Sequence, residues 1–225
     1  MKILIVDDER DICEILEFNL ANEGYEVECA YSAEEALDKL TADHSLILLD
    51  VMMGGMSGYK MAEKLRKASN TIPIIFLTAK DTENDMLTGF SVGGDHYISK
   101  PFSIKEVVAR VKAVIKRERV GTTKSRSEIV FGDIVISMEV KELTLGSDKV
   151  MLTKTEFEIL ALLAQNQDRV FSRNEIIDRI WEETTFITER TIDVHITRLR
   201  KKMGSYGSVI TNRSGYGYRF DISKL

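Results

Sequence analysis

The sequence predicts two domains, an α/β doubly wound five-stranded parallel sheet followed by an α+β domain. Residues 1–120 alternate apolar runs with amphipathic helical patterns, and the run at 45–50, SLILLD, is typical of a strand buried on both faces. Residues 121–127, GTTKSRS, contain no apolar side chain and are predicted to be a linker. Residues 128–225 then form the second domain.

Five strands and five helices are predicted to alternate in the first domain. The strand segments are KILIV, YEVECA, LILL, IPIIFL and HYIS. The first helical pattern runs through Ile12, Ile15, Leu16 and Leu20, the second through Ala36, Leu37 and Leu40, and the others lie near 59–68, 83–91 and 103–118. Such alternation favours a parallel sheet with right-handed crossovers.

The second domain begins with short alternating runs, EIVFGDIVISM, EVKELTLG and DKVMLT, which predict a small antiparallel sheet. Helical patterns follow at 154–165, 172–181 and about 188–203, and the runs SVITN and YGYRF close the chain as a pair of strands. Helices followed by a terminal hairpin describe a winged helix-turn-helix.

Charge is distributed unevenly along the chain. The formal net charge is −5 overall, −6 over residues 1–120 and +5 over residues 187–225. A basic end indicates a polyanionic partner. The start, MKILIVDDER, is unlike a signal peptide, and no apolar stretch is long enough to cross a membrane. Cys13 and Cys29 are expected to be buried in a reducing compartment, so we expect a cytoplasmic protein.

Three carboxylates are predicted to meet at one edge of the sheet. Asp50 ends the third strand, and Asp7 and Asp8 follow the first strand. The carboxyl ends of parallel strands share an edge, where ligands of open α/β sheets bind. Converging carboxylates require a hard divalent cation, so the pattern predicts Mg²⁺, which the sequence does not distinguish from Mn²⁺. The alternative is that these residues cap the helices that follow them.

A hydroxyl and an ammonium are predicted beside these carboxylates. Thr78 ends the fourth strand and Lys100 ends the fifth. Together with the cation they would form a site for phosphoryl transfer onto Asp50, because positive charge and a hydroxyl donor stabilise phosphoryl oxygens. Taken singly, Thr78 could be an ordinary strand terminus and Lys100 a solvated surface charge.

The segments IVDDE, LLDVMM, LTA and KPF resemble those of the receiver domain of bacterial response regulators. The resemblance implies that Asp50 accepts a phosphoryl group from a sensor histidine kinase and that Lys100 pairs with this group. It also implies that Mg²⁺ is held by Asp8, Asp50 and the Met52 carbonyl, with Asp7 acting through water. The bond before Pro101 is expected to be cis.

The same resemblance implies a switch. Phosphorylation adds about −1.5 to −2 charges, the Thr78 hydroxyl moves towards the phosphoryl group, and Tyr97 turns inward. The domain would support its own Mg²⁺-dependent phosphoryl transfer to Asp50 and hydrolysis from it, without a separate substrate. We therefore do not expect a conventional enzyme.

A basic helix is predicted at 187–202, ITERTIDVHITRLRKK. Helical offsets place five of its side chains on one face, namely Arg190, Thr191, Val194, His195 and Arg198. Its apolar residues, Ile192, Ile196 and Leu199, occupy another face. A helix of this kind can lie in the major groove of DNA. The alternative is a solvated basic surface.

The segments LTKTEFEILALLAQN, SRNEIIDRIW, RTIDVHITRLRKKMG and SGYGYRF resemble the winged-helix effector domain of OmpR/PhoB-type regulators. The resemblance implies double-stranded DNA and RNA polymerase as partners, the latter through the loop at 182–187. The implied DNA contacts are Arg190, Thr191, His195, Arg198 and Arg200 on the helix and Arg213 at the wing tip, towards the minor groove. Thr197 stands where several relatives have a basic residue.

Active receivers of this subfamily form homodimers through charged pairs on the fourth helix, fifth strand and fifth helix. Glu106 and Arg110 match that pattern, whereas Met86 and His96 stand where a basic and an acidic partner are expected. We therefore expect a weaker or more apolar dimer interface. Exposed ion pairs contribute about 0–1 kcal/mol each, so dimerisation on phosphorylation is still expected.

The favoured hypothesis is a two-component response regulator, phosphorylated on Asp50, that dimerises and binds DNA to regulate transcription. An alternative is a DNA-binding regulator whose receiver is a phosphorylation-independent dimerisation module. A phosphate-ester hydrolase with Asp50 as nucleophile ranks last, because the sequence shows no lid segment or additional general acid.

Overall fold

A computed structural model describes residues 1–79, 82–116, 128–167, 169–181 and 187–225. The chain divides into two compact units, residues 1–119 and 120–225. The predicted linker at 121–127 lies outside the described residues.

The first unit is built on a parallel sheet of five strands. They are β1 (Lys2–Val6), β2 (Glu26–Ala30), β3 (His44–Asp50), β4 (Ile74–Thr78) and β5 (His96–Ser99). Their order in the sheet is β2-β1-β3-β4-β5, and every pairing is parallel. The predicted doubly wound sheet is confirmed. Residues 46–49 are fully buried, which explains why this strand is a continuous apolar run.

Helices cover both faces of this sheet. They are α1 (Arg10–Asn22), α2 (Ala33–Lys39), α3 (Gly58–Lys67), α4 (Glu83–Val92) and α5 (Ile104–Lys116). Side-chain oxygens of Ser32, Ser57 and Thr82 cap α2, α3 and α4 by accepting backbone N–H bonds. In α1 the helical pattern misplaced Ile15, which is half exposed. Cys13 is buried as expected, whereas Cys29 on β2 is only half-buried.

The second unit begins with an antiparallel sheet of four strands, β6 (Glu128–Phe131), β7 (Ile134–Ser137), β8 (Glu142–Leu145) and β9 (Asp148–Val150). Three helices follow, α6 (Lys154–Gln165), α7 (Arg173–Ile180) and α8 (Glu189–Met203). A hairpin of β10 (Ile210–Arg213) and β11 (Gly217–Phe220) closes the unit. The predicted winged helix-turn-helix arrangement is present.

The hairpin is attached to the helical core at its second strand. Phe171 and Tyr218 exchange two backbone hydrogen bonds, of 2.8 and 2.9 Å. Gly217 lies so close to Phe171 that an added Cβ would stand 2.0 Å from the Phe171 carbonyl oxygen, and its φ is +132°. Only glycine fits this close approach. The wing therefore has a fixed base beside the start of α7.

Within the described residues, no helix combines the length and the apolar character that crossing a membrane requires.

Candidate phosphorylation site and nucleic-acid interface

Asp50 is the last residue of β3 and is 2% exposed. Its Oδ2 accepts a hydrogen bond of 3.1 Å from the Met52 backbone N–H. Its Oδ1 is buried and accepts no hydrogen bond from the described residues. Because Ser57, and not Asp50, caps α3, the capping alternative is wrong for Asp50. The Lys100 ammonium approaches this oxygen only to 3.4 Å, which leaves it able to bind a ligand.

Lys100 joins the carboxylates across the edge of the sheet. Its Nζ lies 2.8 Å from Asp7 Oδ2, 3.1 Å from Glu9 Oε1 and 3.4 Å from Asp50 Oδ1. The Lys100 side chain is 15% exposed, so the alternative of a solvated surface charge is wrong. The Lys100–Pro101 bond is cis, as expected.

The carboxylates are held in an unfavourable environment. Burial raises the pKa of Asp50 to about 6, although the charge of Lys100 opposes this shift. Burial also raises the pKa of Asp7, against its hydrogen bond to Lys100. Burial lowers the pKa of Lys100, but its carboxylate partners outweigh that effect and raise it. The ammonium of Lys100 therefore faces more carboxylate charges than it can neutralise, and a bound cation would reduce the excess negative charge.

The donor set fits a hard divalent cation. One carboxylate oxygen from each of Asp7, Asp8 and Asp50 lies within 4.8 Å of the others. Asp8 is exposed and accepts a bond of 3.3 Å from the Gly54 N–H. Oxygen ligands with room for water suit Mg²⁺. A surface depression of about 360 Å³ lies over the segment that follows Asp50, and its lining is Val51, Met52, Met53, Ser57 and Tyr59, not the three carboxylates.

Thr78 and Tyr97 stand together beside this edge. Thr78 is buried at the end of β4, next to Leu77, which pairs with Asp50 in the sheet. Tyr97 is buried on β5 and lies inward. Burial, followed by the hydrogen bond with Tyr59, raises the pKa of Tyr97, and a smaller effect of the hydrogen bond with Thr78 opposes this rise. The Tyr97 hydroxyl also lies 3.2 Å from that of Tyr59, a residue that the sequence patterns did not indicate.

Three of the four predicted dimer-interface residues are largely enclosed by the first unit itself. Met86, His96 and Arg110 are each 8% exposed, and Glu106 is half-buried. The prediction that Met86 and His96 lie at a dimer interface with Glu106 and Arg110 stays a prediction, and in the single chain Met86, His96 and Arg110 offer it little side-chain surface.

The structure also corrects the predicted DNA-binding face of α8. Thr191 and His195 are each 1% exposed and lie on the same side as Ile192, Ile196 and Leu199. The Thr191 hydroxyl accepts a 3.4 Å hydrogen bond from the Thr188 N–H, and the His195 ring packs on Trp181 with 5.5 Å between centroids. The prediction that Thr191 and His195 contact DNA is wrong in this arrangement, because the domain core covers both.

Two of the predicted arginines are held by their own domain. Arg198 Nε lies 3.0 Å from Oε1 of Glu156, which is fully buried, and Lys202 Nζ lies 2.6 Å from its Oε2. Arg200 donates from Nε at 2.9 Å to the carbonyl oxygen of Ile210 in the wing. These arginines therefore flank the exposed face of the helix and brace it against α6 and β10.

The exposed face of α8 carries Arg190, Thr197 and Lys201. The Thr197 side chain is short and its hydroxyl donates at 2.7 Å to the Asp193 carbonyl oxygen, so this side chain projects little beyond the helix surface. At the hairpin tip Arg213 is exposed and Tyr216 is 75% exposed. Sequence reasoning missed Lys201 and Tyr216. The turn segment SGYG indicated the hairpin tip on which Tyr216 lies. Lys201 could be identified only once the structure showed which side of α8 is exposed.

Comparisons with known proteins assign each of the two units to a family. Residues 3–112 match the family "Response regulator receiver domain", and residues 147–220 match "Transcriptional regulatory protein, C terminal". The uncharacterized transcriptional regulatory protein YclJ of Bacillus subtilis (strain 168) is 39% identical over 98% of this chain and 99% of its own.

Solved structures give the same result. The response regulator DrrB of Thermotoga maritima, described as an OmpR/PhoB homologue, is 30% identical over 98% of each chain with a TM-score of 0.52. A mutant of RitR is 26% identical over 97% of this chain and 98% of its own, with a TM-score of 0.77.

Proposed function

Because this chain belongs to the OmpR/PhoB-type two-component response regulators, with a receiver domain and a C-terminal transcriptional regulatory domain, we propose that Asp50 is its phosphoryl acceptor. The observation that carries the proposal is the buried Asp50 Oδ1, which accepts no hydrogen bond from the described residues and lies 3.4 Å from Lys100 Nζ. A partner histidine kinase would be the phosphoryl donor.

The residues around Asp50 have distinct roles in this reaction. An Asp50 oxygen forms the new bond to phosphorus while the bond between phosphorus and the donor breaks. Lys100 is placed to offset the charge of the phosphoryl oxygens, and the Thr78 hydroxyl to donate to one of them. Asp8, Asp50 and the Met52 carbonyl would hold Mg²⁺, with Asp7 acting through water. A bound Mg²⁺ supplies positive charge to the transferring group.

The second unit is proposed to bind double-stranded DNA with α8 in the major groove and the wing near the minor groove. The proposed contacts are Arg190, Thr197 and Lys201 on α8 with Arg213 and Tyr216 on the wing, and Arg198 and Arg200 lie at the margins. Cationic residues on the exposed face support this proposal, since phosphate contacts supply much of the affinity for DNA. Regulation of transcription in the cytoplasm would follow.

Two further partners belong to the proposal. Phosphorylation is proposed to promote a homodimer through the face that carries Glu106 and Arg110, to which Met86 and His96 would add only their small exposed area. RNA polymerase is proposed as a partner through the loop at 182–187, of which residues 182–186 lie outside the described part of the chain. Both proposals rest on membership of the family.

Asp50→Asn tests the proposed phosphorylation. We expect a small-molecule phosphodonor with Mg²⁺ to add one phosphoryl group to the wild-type chain, measured by intact mass, and none to Asp50→Asn. The matched control is Asp38→Asn, which alters an exposed carboxylate on α2 and should be labelled normally. Equal labelling of the Asp50→Asn chain would contradict the assignment.

A second experiment tests whether phosphorylation controls DNA binding. Bound DNA is mapped genome-wide in cells that carry the wild-type or the Asp50→Asn protein. Loss of occupancy with Asp50→Asn supports phosphorylation control. Unchanged occupancy would favour the alternative in which the receiver acts only as a phosphorylation-independent dimerisation module. Release of phosphate from a generic ester by the purified protein would instead favour the hydrolase.

A further inference from the structure

Tyr59 is hydrogen-bonded to groups on two other elements of the first unit. Its side chain lines a surface depression together with residues of the segment that follows Asp50. Its hydroxyl donates at 2.8 Å to the backbone carbonyl of Asp85 in the first turn of α4, and its oxygen lies 3.2 Å from the Tyr97 hydroxyl oxygen. Tyr59, the second residue of α3, therefore links that helix to β5 and α4.

The direction of these hydrogen bonds follows from the number of protons. A phenol has one proton to donate. Tyr59 gives its proton to Asp85, so the Tyr59 oxygen must accept from Tyr97. The Tyr97 oxygen then accepts from Thr78, with which it is hydrogen-bonded. The result is a one-way chain from Thr78 through Tyr97 and Tyr59 to the Asp85 carbonyl.

The space around the inward Tyr97 ring is closely fitted. The Phe76 ring lies 5.1 Å from that of Tyr59, edge to face, and 6.3 Å from that of Tyr97. A Cβ added at Gly89 would stand 3.2 Å from both the Tyr97 and the Phe76 rings. Tyr97 thus packs against the backbone of α4 where a side chain would crowd it. We call the set of Tyr59, Phe76 and Gly89 the Tyr97 seat.

We propose that Tyr59 is a positioning residue that holds Tyr97 inward and thereby favours the phosphorylated state of Asp50. This inference rests on the proposed function of Asp50. When the Thr78 hydroxyl donates to a phosphoryl oxygen, Tyr97 loses the bond from Thr78. Tyr97 keeps its bond to Tyr59, which preserves the inward position without Thr78.

The proposal predicts a loss when the Tyr59 hydroxyl is removed. In Tyr59→Phe the buried Tyr97 hydroxyl has no Tyr59 oxygen to donate to, and the Asp85 carbonyl loses the Tyr59 proton. The inward position of Tyr97 is then less favoured. Gly89→Ala narrows the Tyr97 seat without removing a hydroxyl, so it is expected to act in the same direction.

The test uses beryllofluoride with Mg²⁺ as a mimic of the phosphoryl group, titrated calorimetrically into the full chain. We expect Tyr59→Phe and Tyr97→Phe each to weaken binding about fivefold, the loss that one net hydrogen bond predicts. The double variant should bind no more weakly than either single variant, because the two hydroxyls act through one bond. The matched control, Tyr25→Phe, changes a tyrosine just before β2, at the opposite edge of the sheet, and should bind as the wild type does.

Hydrogen exchange of the backbone amides of α4, without beryllofluoride, gives a second measurement. We expect faster exchange in Tyr59→Phe and in Tyr97→Phe, but not in Tyr25→Phe. A merely structural role would lower the unfolding temperature of Tyr59→Phe and leave its beryllofluoride affinity at the wild-type value, which would overturn the inference. Wild-type protein that binds no beryllofluoride would contradict the proposed function. In that case, an unchanged rate of amide hydrogen exchange in α4 of Tyr59→Phe would overturn the Tyr59 inference separately.

Discussion

Lys100 Nζ lies 2.8 Å from Asp7 Oδ2, and the two residues are 93 positions apart in the chain. Asp7 follows β1 and Lys100 follows β5, so the ion pair crosses the carboxyl edge of the sheet over β3 and β4. The ammonium reaches Asp50 Oδ1 as well, at 3.4 Å. Lys100 is thus placed to offset charge in the site both before and after phosphorylation.

Lys100→Met is expected to lower the rate of phosphodonor labelling of Asp50 at least tenfold, because the positive charge opposite the developing phosphoryl charge is lost. Intact mass against time measures the rate. The control, Lys2→Met, removes an ammonium paired with Glu28 at 2.6 Å near the other edge of the sheet. Equal labelling rates for Lys100→Met and the wild type would contradict a role for Lys100 in phosphoryl transfer.

Glu156→Gln is expected to lower the unfolding free energy of the second unit by about 3 kcal/mol, since breaking a buried ion pair leaves charges without their partner. Arg198 and Lys202 both bind this carboxylate, whose pKa stays lowered because their charges outweigh its burial. Urea unfolding monitored by Trp181 fluorescence measures this free energy, because Trp181 is the single tryptophan. Glu142→Gln, from the exposed pair with Lys149, should change stability by less than about 1 kcal/mol.

The stability of the second unit is expected to fall as the pH drops below about 6.5. Burial, followed by the charge of Arg198, lowers the pKa of His195 to about 3, whereas the unfolded chain takes up that proton near pH 6.5. The native state therefore binds fewer protons in this window, which costs about 2 kcal/mol between pH 6.5 and pH 5. Trp181 fluorescence should show this decline in the wild type. In His195→Phe the corresponding part of the pH dependence should disappear, and an unaltered slope would contradict the burial of a neutral His195.

Lys201→Ala is expected to weaken DNA binding about equally for all sequences and to reduce the slope of log affinity against log salt by about 1, as for one lost phosphate contact. The affinities are measured on a site taken from the genome-wide mapping. Lys149→Ala, at an exposed lysine of β9, should leave the slope unchanged. A slope that Lys201→Ala does not alter would exclude Lys201 from the interface.

Much of the fold could be predicted because its signals are local. Apolar runs of strand length and helical periodicity depend on neighbours in the chain, and capping residues such as Ser57 and Thr153 start their helices by bonding backbone groups three positions on. The proposed phosphorylation site followed from the same signals, because the carboxyl ends of parallel strands must share an edge. Asp7, Asp50 and Lys100 therefore meet as predicted.

The errors concern side chains whose environment is set by distant residues. The helical pattern assigned Thr191 and His195 to the exposed face, because the width of a buried face depends on what packs against it. Trp181 covers His195, and Arg198 turns towards Glu156, 42 positions earlier. Met86 and His96, which the family resemblance places at a dimer surface, are each 8% exposed in the first unit.

By itself the sequence determined the two domains, the doubly wound parallel sheet, and the strand-end residues that meet at its carboxyl edge. Tertiary structure decided which side of α8 faces outward, which arginines brace that helix, and that Tyr59 reaches Tyr97. The physical reason is the distance along the chain between the residues that interact. Secondary structure and strand-end placement arise from local periodicity and sheet geometry. The partner of a buried hydroxyl, imidazole or guanidinium depends on packing between segments far apart in the chain.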